Sequence, residues 1–206
     1  MNEARKDHWD RIYGSKSDSD LSWHQDAPET SLGLAECAGL TPDTRVIDVG
    51  AGTSRVVDGL IARGLHDLSV LDLSQTALDA QRARLGPRGA DVEWIVADIS
   101  RWSPQRVYNL WHDRAVFHFL VDPSDRAAYV TRLSRALRIG GHAIIATFAP
   151  DGPETCSGLP VRRYSPEALG GVLGPNFELV AKRFQKHTTP SGNLQSFQFS
   201  LFRKLR

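Results

Sequence analysis

The sequence has little of what marks a special environment. Its 206 residues include only two cysteines, and Cys37 and Cys156 lie far apart and fit no metal-ligand spacing, so reduced thiols and no metal site are expected. A formal charge of +1 gives no net field to attract a nucleic acid or an anionic membrane. No stretch approaches the roughly 18 apolar residues that a membrane span requires, and the opening "MNEARKDHWD" lacks the apolar stretch of a signal peptide. The expectation is a soluble, cytoplasmic protein with neither a membrane nor a nucleic-acid partner. Repeats, low-complexity tracts and linkers are also missing, so residues 1–206 read as one domain. At this length folding buries about 70% of the chain's surface, enough for a core that needs no disulfide or metal.

What the chain does contain is an alternation of β-rich runs and helical stretches. Strands are expected at 44–50, 68–74, 92–99, 106–113 and 141–149, with helices near 53–63, 74–85 and 123–138 between them. Such alternation implies right-handed crossovers and a mostly parallel sheet with helices on both faces. After a long loop and a short helix near 165–173, runs at 177–187 and 194–204 flank the turn signal "TTPSGN". They read as an antiparallel hairpin at one edge of the sheet. The fold class is therefore α/β, a Rossmann-like doubly wound sheet of seven strands. Ahead of it, helical stretches at 3–14 and 28–39 carry Trp9, Tyr13, Trp23 and His24, denser in aromatic residues than the chain's 8% average. Trp9 and Tyr13, four apart, share a helix face and serve either as core anchors or as a lid.

In a doubly wound sheet, ligands sit beyond the carboxyl ends of the strands. "VIDVGAG" (46–52) ends the first strand there, and Gly50 and Gly52 allow a sharp turn and a close approach to a ligand. A dinucleotide turn would place glycine at 55, where the chain has Arg55, and no phosphate-binding Gly-Lys-Ser/Thr follows. Pyrophosphate cofactors are disfavoured, and a nicotinamide-dependent oxidoreductase is further weakened by the lack of a Tyr-x-x-x-Lys pair. Asp72 ends the second strand 20 residues after Gly52, where a carboxylate can accept both hydroxyls of a ribose. Asp98, with the N–H of Ile99, ends the third strand in position to read an adenine edge. Three acids, Asp48, Asp72 and Asp98, thus stand at three successive strand ends.

With these motifs the sequence resembles the class I S-adenosylmethionine (SAM)-dependent methyltransferases over roughly residues 40–150. The resemblance implies SAM as the methyl donor. It places the methionine part on Asp48, Gly50 and Gly52, the ribose on Asp72 with Leu73, and the adenine on Asp98 with Ile99. The third glycine common in that family is replaced by the small Ser54. The amino end, "WDRIY" (9–13) followed by Trp23, is similar to a methyltransferase-like subgroup that includes eukaryotic protein-lysine methyltransferases. That similarity implies that Trp9, Tyr13 and Trp23 border the SAM pocket. The chain then divides into a helical lid (1–43), a SAM-binding core (44–150), and a substrate-side loop with the hairpin (151–206).

Methyl transfer from a sulfonium needs alignment and exclusion of water more than acid or base chemistry. The fourth strand ends in "WHDRAVFHFL" (111–120), where Asp113 and Arg114 are expected beside the methionine moiety. His118 is the candidate base, since histidine titrates near neutrality, and His112 is expected to be structural. No [Asp/Asn/Ser]-Pro-Pro-[Tyr/Phe] tetrad follows, which argues against nucleic-acid amines as substrates. Cys156, Arg162, Arg163 and Tyr164 in the loop after the fifth strand are candidate acceptor contacts, and 186–193 a candidate rim. A small-molecule acceptor is the leading expectation, a protein lysine the alternative.

Overall fold

The computed structural model describes residues 3–206. Helix α1 (Glu3–Ser15) and α2 (Glu29–Cys37) precede β1 (Val46–Val49), α3 (Val56–Ala62), β2 (Leu68–Asp72), α4 (Gln75–Leu85), β3 (Glu93–Val96) and β4 (Tyr108–Arg114). Helix α5 (Pro123–Ala136), β5 (Leu137–Phe148), a two-residue pair β6 (Thr155–Cys156) and β7 (Leu159–Pro160), α6 (Pro166–Leu173), β8 (Phe177–Thr188) and β9 (Leu194–Lys204) follow. Seven strands form one sheet in the order β3-β2-β1-β4-β5-β9-β8. Strands β1 to β5 are parallel, and β9 pairs antiparallel with both β5 and β8. The Rossmann-like sheet and its terminal hairpin match the expectation from the sequence.

All four residues of β1 and all five of β2 are buried, as central parallel strands covered on both faces must be. Side chains alternate between the faces. Val46, Val70, Leu110 and Ile144 meet α2, α3 and α4, whereas Ile47, Val49, Leu71, Trp111 and Ile145 meet α5 and α6. The chain crosses from one half of the sheet to the other between β1 and β4. That switch point leaves a crevice at the strands' carboxyl ends.

Several strand ends fall short of the sequence reading, and three departures have a clear cause. The first strand's helix begins at Val56, not near 53, because the carbonyls of Thr53 and Ser54 accept hydrogen bonds from Arg84 and Gln81 of α4, holding those residues as a loop. Strand β5 begins at Leu137, where α5 runs straight into it and Leu137 pairs with Tyr108. The loop after β5 contains the short β6–β7 pair, too brief to leave a periodic signal.

Candidate active site

The strand-end crevice is roofed by α1 and the segment after it. Its walls include Asp48, Val49, Gly50 and Ala51 after β1, Asp72 and Leu73 after β2, Ala97, Asp98 and Ile99 after β3, and Arg114 to Val116 after β4. Trp9, Tyr13 and Trp23 close it from above, and Cys156, Gln195 and Phe197 close it on the far side. Of the residues expected to bind a cofactor, Trp9, Tyr13, Trp23, Asp48, Gly50, Asp72, Leu73, Asp98, Ile99 and Arg114 converge on this one cavity.

Gly50 and Gly52 have φ of +61° and +53°, in the left-handed region that favours glycine. A Cβ on Gly52 would lie 2.2 Å from the Tyr13 hydroxyl, so Gly52 sits beneath the lid rather than on the open wall. The Gly52 amide donates to Asp72 Oδ2 at 2.8 Å and the Ser74 amide to Oδ1 at 2.8 Å. These bonds fix the carboxylate and leave lone pairs for further donors. Burial outweighs them and pushes the Asp72 carboxyl up to about 6. Asp98 is similarly oriented, its Oδ1 accepting from the Ser100 amide at 2.9 Å and hydroxyl at 2.7 Å.

Asp48 belongs to a buried relay that the sequence did not reveal. Its Oδ1 lies 2.7 Å from His112 Nδ1, and His112 Nε2 lies 2.9 Å from the Ser31 hydroxyl of α2. An imidazole protonated on Nδ1 satisfies both neighbours, so His112 ties β1 to α2 through its two nitrogens. Asp48 Oδ2 is enclosed and has no partner among the described residues, leaving an acceptor at the cavity wall. His112 therefore has the expected structural role, but it also lines the cavity.

The alternation of strand residues corrects the reading of β4. Asp48 pairs in register with His112, and Val49 pairs with Asp113. Asp113 thus shares the opposite face with Val49, where it accepts from the Val116 and Phe117 amides at 2.9 and 3.2 Å and from the Tyr129 hydroxyl at 2.6 Å. Burial pushes its carboxyl up to about 6, but it braces the turn after β4 and does not reach the cavity.

His118 is not brought to the wall either. It is fully buried, packed between the rings of Phe119 and Phe148 with centroids 4.5 and 4.8 Å away, and its Nδ1 faces the Phe148 amide at 3.4 Å. Burial, reinforced by the nearby Arg114 charge, lowers its pKa to about 3, so it is neutral at physiological pH. Unfolding raises this value toward about 6.5. Between those values the unfolded chain binds the extra proton, so His118 subtracts stability as pH falls from about 6.5 toward 3. Urea unfolding should accordingly show a smaller loss of stability between pH 7 and pH 5 in His118→Phe than in the parent. Equal losses would contradict the buried neutral state.

Of the proposed acceptor contacts, only Cys156 reaches the cavity, its thiol pushed up to about 11 by burial. Tyr164 is buried beside Phe117, with ring centroids 5.5 Å apart, and Arg163 pairs with Glu154 at 2.8 Å on the outer surface. Arg162 lies on that same outer depression, with Glu154, Val161 and Arg163. The turn at 186–193 does not line the cavity, but Gln195 and Phe197 just beyond it do. His187 Nε2 faces the Ser22 carbonyl at 2.8 Å and ties the hairpin to the lid segment.

Two further supports escaped the sequence reading. Arg84 donates to the carbonyls of Thr53 and Ser54 at 2.7 Å and pairs with Asp58 at 2.7 Å, bracing the glycine turn from outside. Asp10, within "WDRIY", accepts from the hydroxyl of Ser74 at 2.5 Å, and Ser74 also caps α4. Helix α1 has no fully buried residue, and a helix of its length is marginal in isolation. Asp10, the ring contacts of Trp9 with Phe119 (5.2 Å) and Trp23 (5.8 Å), and the Arg5–Asp125 ion pair at 3.1 Å dock it. Asp10→Ala should therefore leave the sheet intact, lowering the melting temperature by no more than about 2–4 °C. It should weaken SAM binding by on the order of tenfold in calorimetric titration. Unchanged affinity would mean that docking of α1 is not coupled to the cavity.

Residues 46–141, just under half of the chain, match the family model for the methyltransferase domain. That segment is similar to a methyltransferase domain. The matched segment contains the glycine turn and all three strand-end acids, while the lid and the terminal hairpin lie outside it. Malonyl-[acyl-carrier protein] O-methyltransferase of Paenibacillus sp. (strain JDR-2) is 25% identical over 118 residues, covering 55% of this chain and 42% of that protein. Trans-aconitate 2-methyltransferase of Rhizobium rhizogenes (strain K84 / ATCC BAA-868) is 30% identical over 113 residues, covering 54% of this chain and 41% of its own length. The match thus spans less than half the length of these curated relatives. The N-methyltransferase NodS of Bradyrhizobium japonicum WM9, solved in complex with S-adenosyl-L-homocysteine, superposes with a TM-score of 0.74, covering 97% of this chain and all of that one at 16% identity. That likeness is one of fold. It extends the likeness of fold over the N-terminal helices and the terminal hairpin as well as the core of the sheet.

Proposed function

We propose that the chain is a SAM-dependent methyltransferase that transfers a methyl group to a small-molecule acceptor by in-line displacement. One observation carries the reading: a roofed cavity at the switch point with Asp48, Asp72 and Asp98 along its wall. When bound, SAM supplies a methyl group on a sulfonium that is already activated as a leaving group. Asp72, oriented by two amides, is suited to accept the ribose hydroxyls. Asp98 and Ile99 border the adenine space, and Asp48 and Gly50 border the methionine side. Trp9, Tyr13 and Trp23 exclude water from above. Alignment and desolvation of this kind contribute up to about 7–11 kcal/mol.

Along the wall, both nitrogens of His112 are engaged and the Cys156 thiol is held protonated by burial. Asp48 Oδ2, without a partner among the described residues, and His24, which faces Asp26 at 3.1 Å, are the groups there able to take a proton. The chemistry suits an acceptor that arrives with its lone pair available or gives up one proton to such a group. Support for a small acceptor comes from the relative named for trans-aconitate. Incubating the protein and a cell lysate with methyl-labelled SAM, then separating protein from small molecules, tests the reading. Label is expected in the small-molecule fraction; label only in protein would favour a lysine acceptor and overturn it.

A further inference from the structure

We propose that Arg114 anchors a carboxylate of the methyl acceptor, which makes the acceptor a small carboxylic acid rather than a neutral or cationic molecule. The proposal rests on the methyltransferase reading above. In the sheet order, the donor-side acids stand on β1, β2 and after β3, whereas Arg114 ends β4 on the other side of the switch point. The cavity continues there toward Cys156, Gln195 and Phe197. One guanidinium nitrogen, Nη1, donates to the Trp23 carbonyl at 2.9 Å. The other two, Nε and Nη2, are enclosed and have no hydrogen-bond partner among the described residues. The buried Asp48 carboxylate is near enough to favour the charged form of Arg114 without forming a hydrogen bond to it, and the ring of Phe197 lies 4.9 Å away.

The pattern of what is left over is specific. Nε and Nη2 lie on one edge of the planar guanidinium and present two parallel N–H groups, the fork that a carboxylate accepts in bidentate fashion. A buried charge with two unmade bonds is costly unless a ligand completes it. Neutral groups cannot balance the charge, and a cationic acceptor would be repelled both by Arg114 and by a sulfonium donor. A carboxylate satisfies both cations. A carboxylic acid is also ionised at neutral pH, so it needs no base to expose its lone pair. The same chemistry could come from the methionine carboxylate of the donor, and the two sources are separable.

The test is calorimetric titration of the protein saturated with S-adenosylhomocysteine, using trans-aconitate, malonate and succinate, each against its uncharged ester or amide. At least one carboxylate should bind while its neutral counterpart does not. Arg114→Gln should weaken that binding by on the order of 10–100-fold, and affinity for S-adenosylhomocysteine by much less. Arg114→Lys, which keeps the charge and most of the stem, guards against misfolding and should still lose most of the affinity, since an ammonium has no fork. Equal binding of acids and neutral counterparts, or no binding of any acid, would overturn the proposal. So would a parallel loss of S-adenosylhomocysteine affinity in Arg114→Gln, which would put Arg114 on the donor. Failure of the parent to bind S-adenosylhomocysteine at all would overturn the methyltransferase reading itself, and this assignment with it.

Discussion

Asp72→Ala is expected to weaken SAM binding by on the order of 10–100-fold, the loss associated with hydrogen bonds to one buried charged group. The carboxylate is held in place before any ligand arrives by the amides of Gly52 and Ser74. It is also strained electrostatically, since burial raises its pKa to about 6. Folding thus favours its protonated form. Its contribution to stability is greatest below the unfolded value of about 3.9 and is lost as pH rises through about 6. Ribose hydroxyls would compensate the buried charge, so SAM affinity should fall as the carboxyl protonates below pH 6. Asp72→Asn should abolish that pH dependence while keeping part of the affinity. Isothermal titration from pH 5 to 8 reads both effects, and a pH-independent affinity in the parent would argue against Asp72 as the ribose acceptor.

Gly52→Ala should disrupt the glycine turn and the helix above it together. At φ +53° an alanine costs roughly 1–2 kcal/mol in backbone strain. Its Cβ would also lie 2.2 Å from the Tyr13 hydroxyl and 3.0 Å from the ring carbon bearing it. Tyr13 is clustered with Trp9 and Trp23 at centroid distances of 6.2 and 5.9 Å, so it cannot move without disturbing the lid. The melting temperature should drop by about 2–8 °C, and SAM affinity by at least about tenfold. Adding Tyr13→Ala separates the two causes. If the lid clash dominates, the double variant binds SAM no worse than Tyr13→Ala alone, a non-additivity expected only of residues in contact. Full additivity would show that backbone strain alone is responsible.

The parts of the site visible in the sequence are those that backbone geometry dictates locally. Gly50 and Gly52 announce a turn that few other residues can make, and Asp72 and Asp98 follow β-rich runs whose ends are readable. Harder to see was anything that depends on register. His112, Asp113 and Arg114 are consecutive, and only the pairing of Asp48 with His112 shows which of them share the cavity's face. Period-two alternation already separates Asp113 from His112 and Arg114, but not which set faces inward. His118 illustrates another limit: its residue type suggested a base, while its burial between Phe119 and Phe148 arises from packing distant in sequence. Arg84 and Asp10 act across 30 and 64 residues, as exposed-looking charges on helices, and nothing local distinguishes them from solvated ones. The start of α3 was misplaced for the same reason, since the side chains holding Thr53 and Ser54 come from α4.

We assign the methyl-donor site to the roofed crevice at the β1–β4 switch point. A crystal structure with S-adenosylhomocysteine tests it most directly. Ribose hydroxyls are expected within hydrogen-bonding distance of Asp72, adenine beside Asp98 and Ile99, and the aminocarboxypropyl chain passing Gly50 beneath Tyr13 and Trp23. A ligand bound elsewhere, or in this crevice with its ribose away from Asp72, would contradict it.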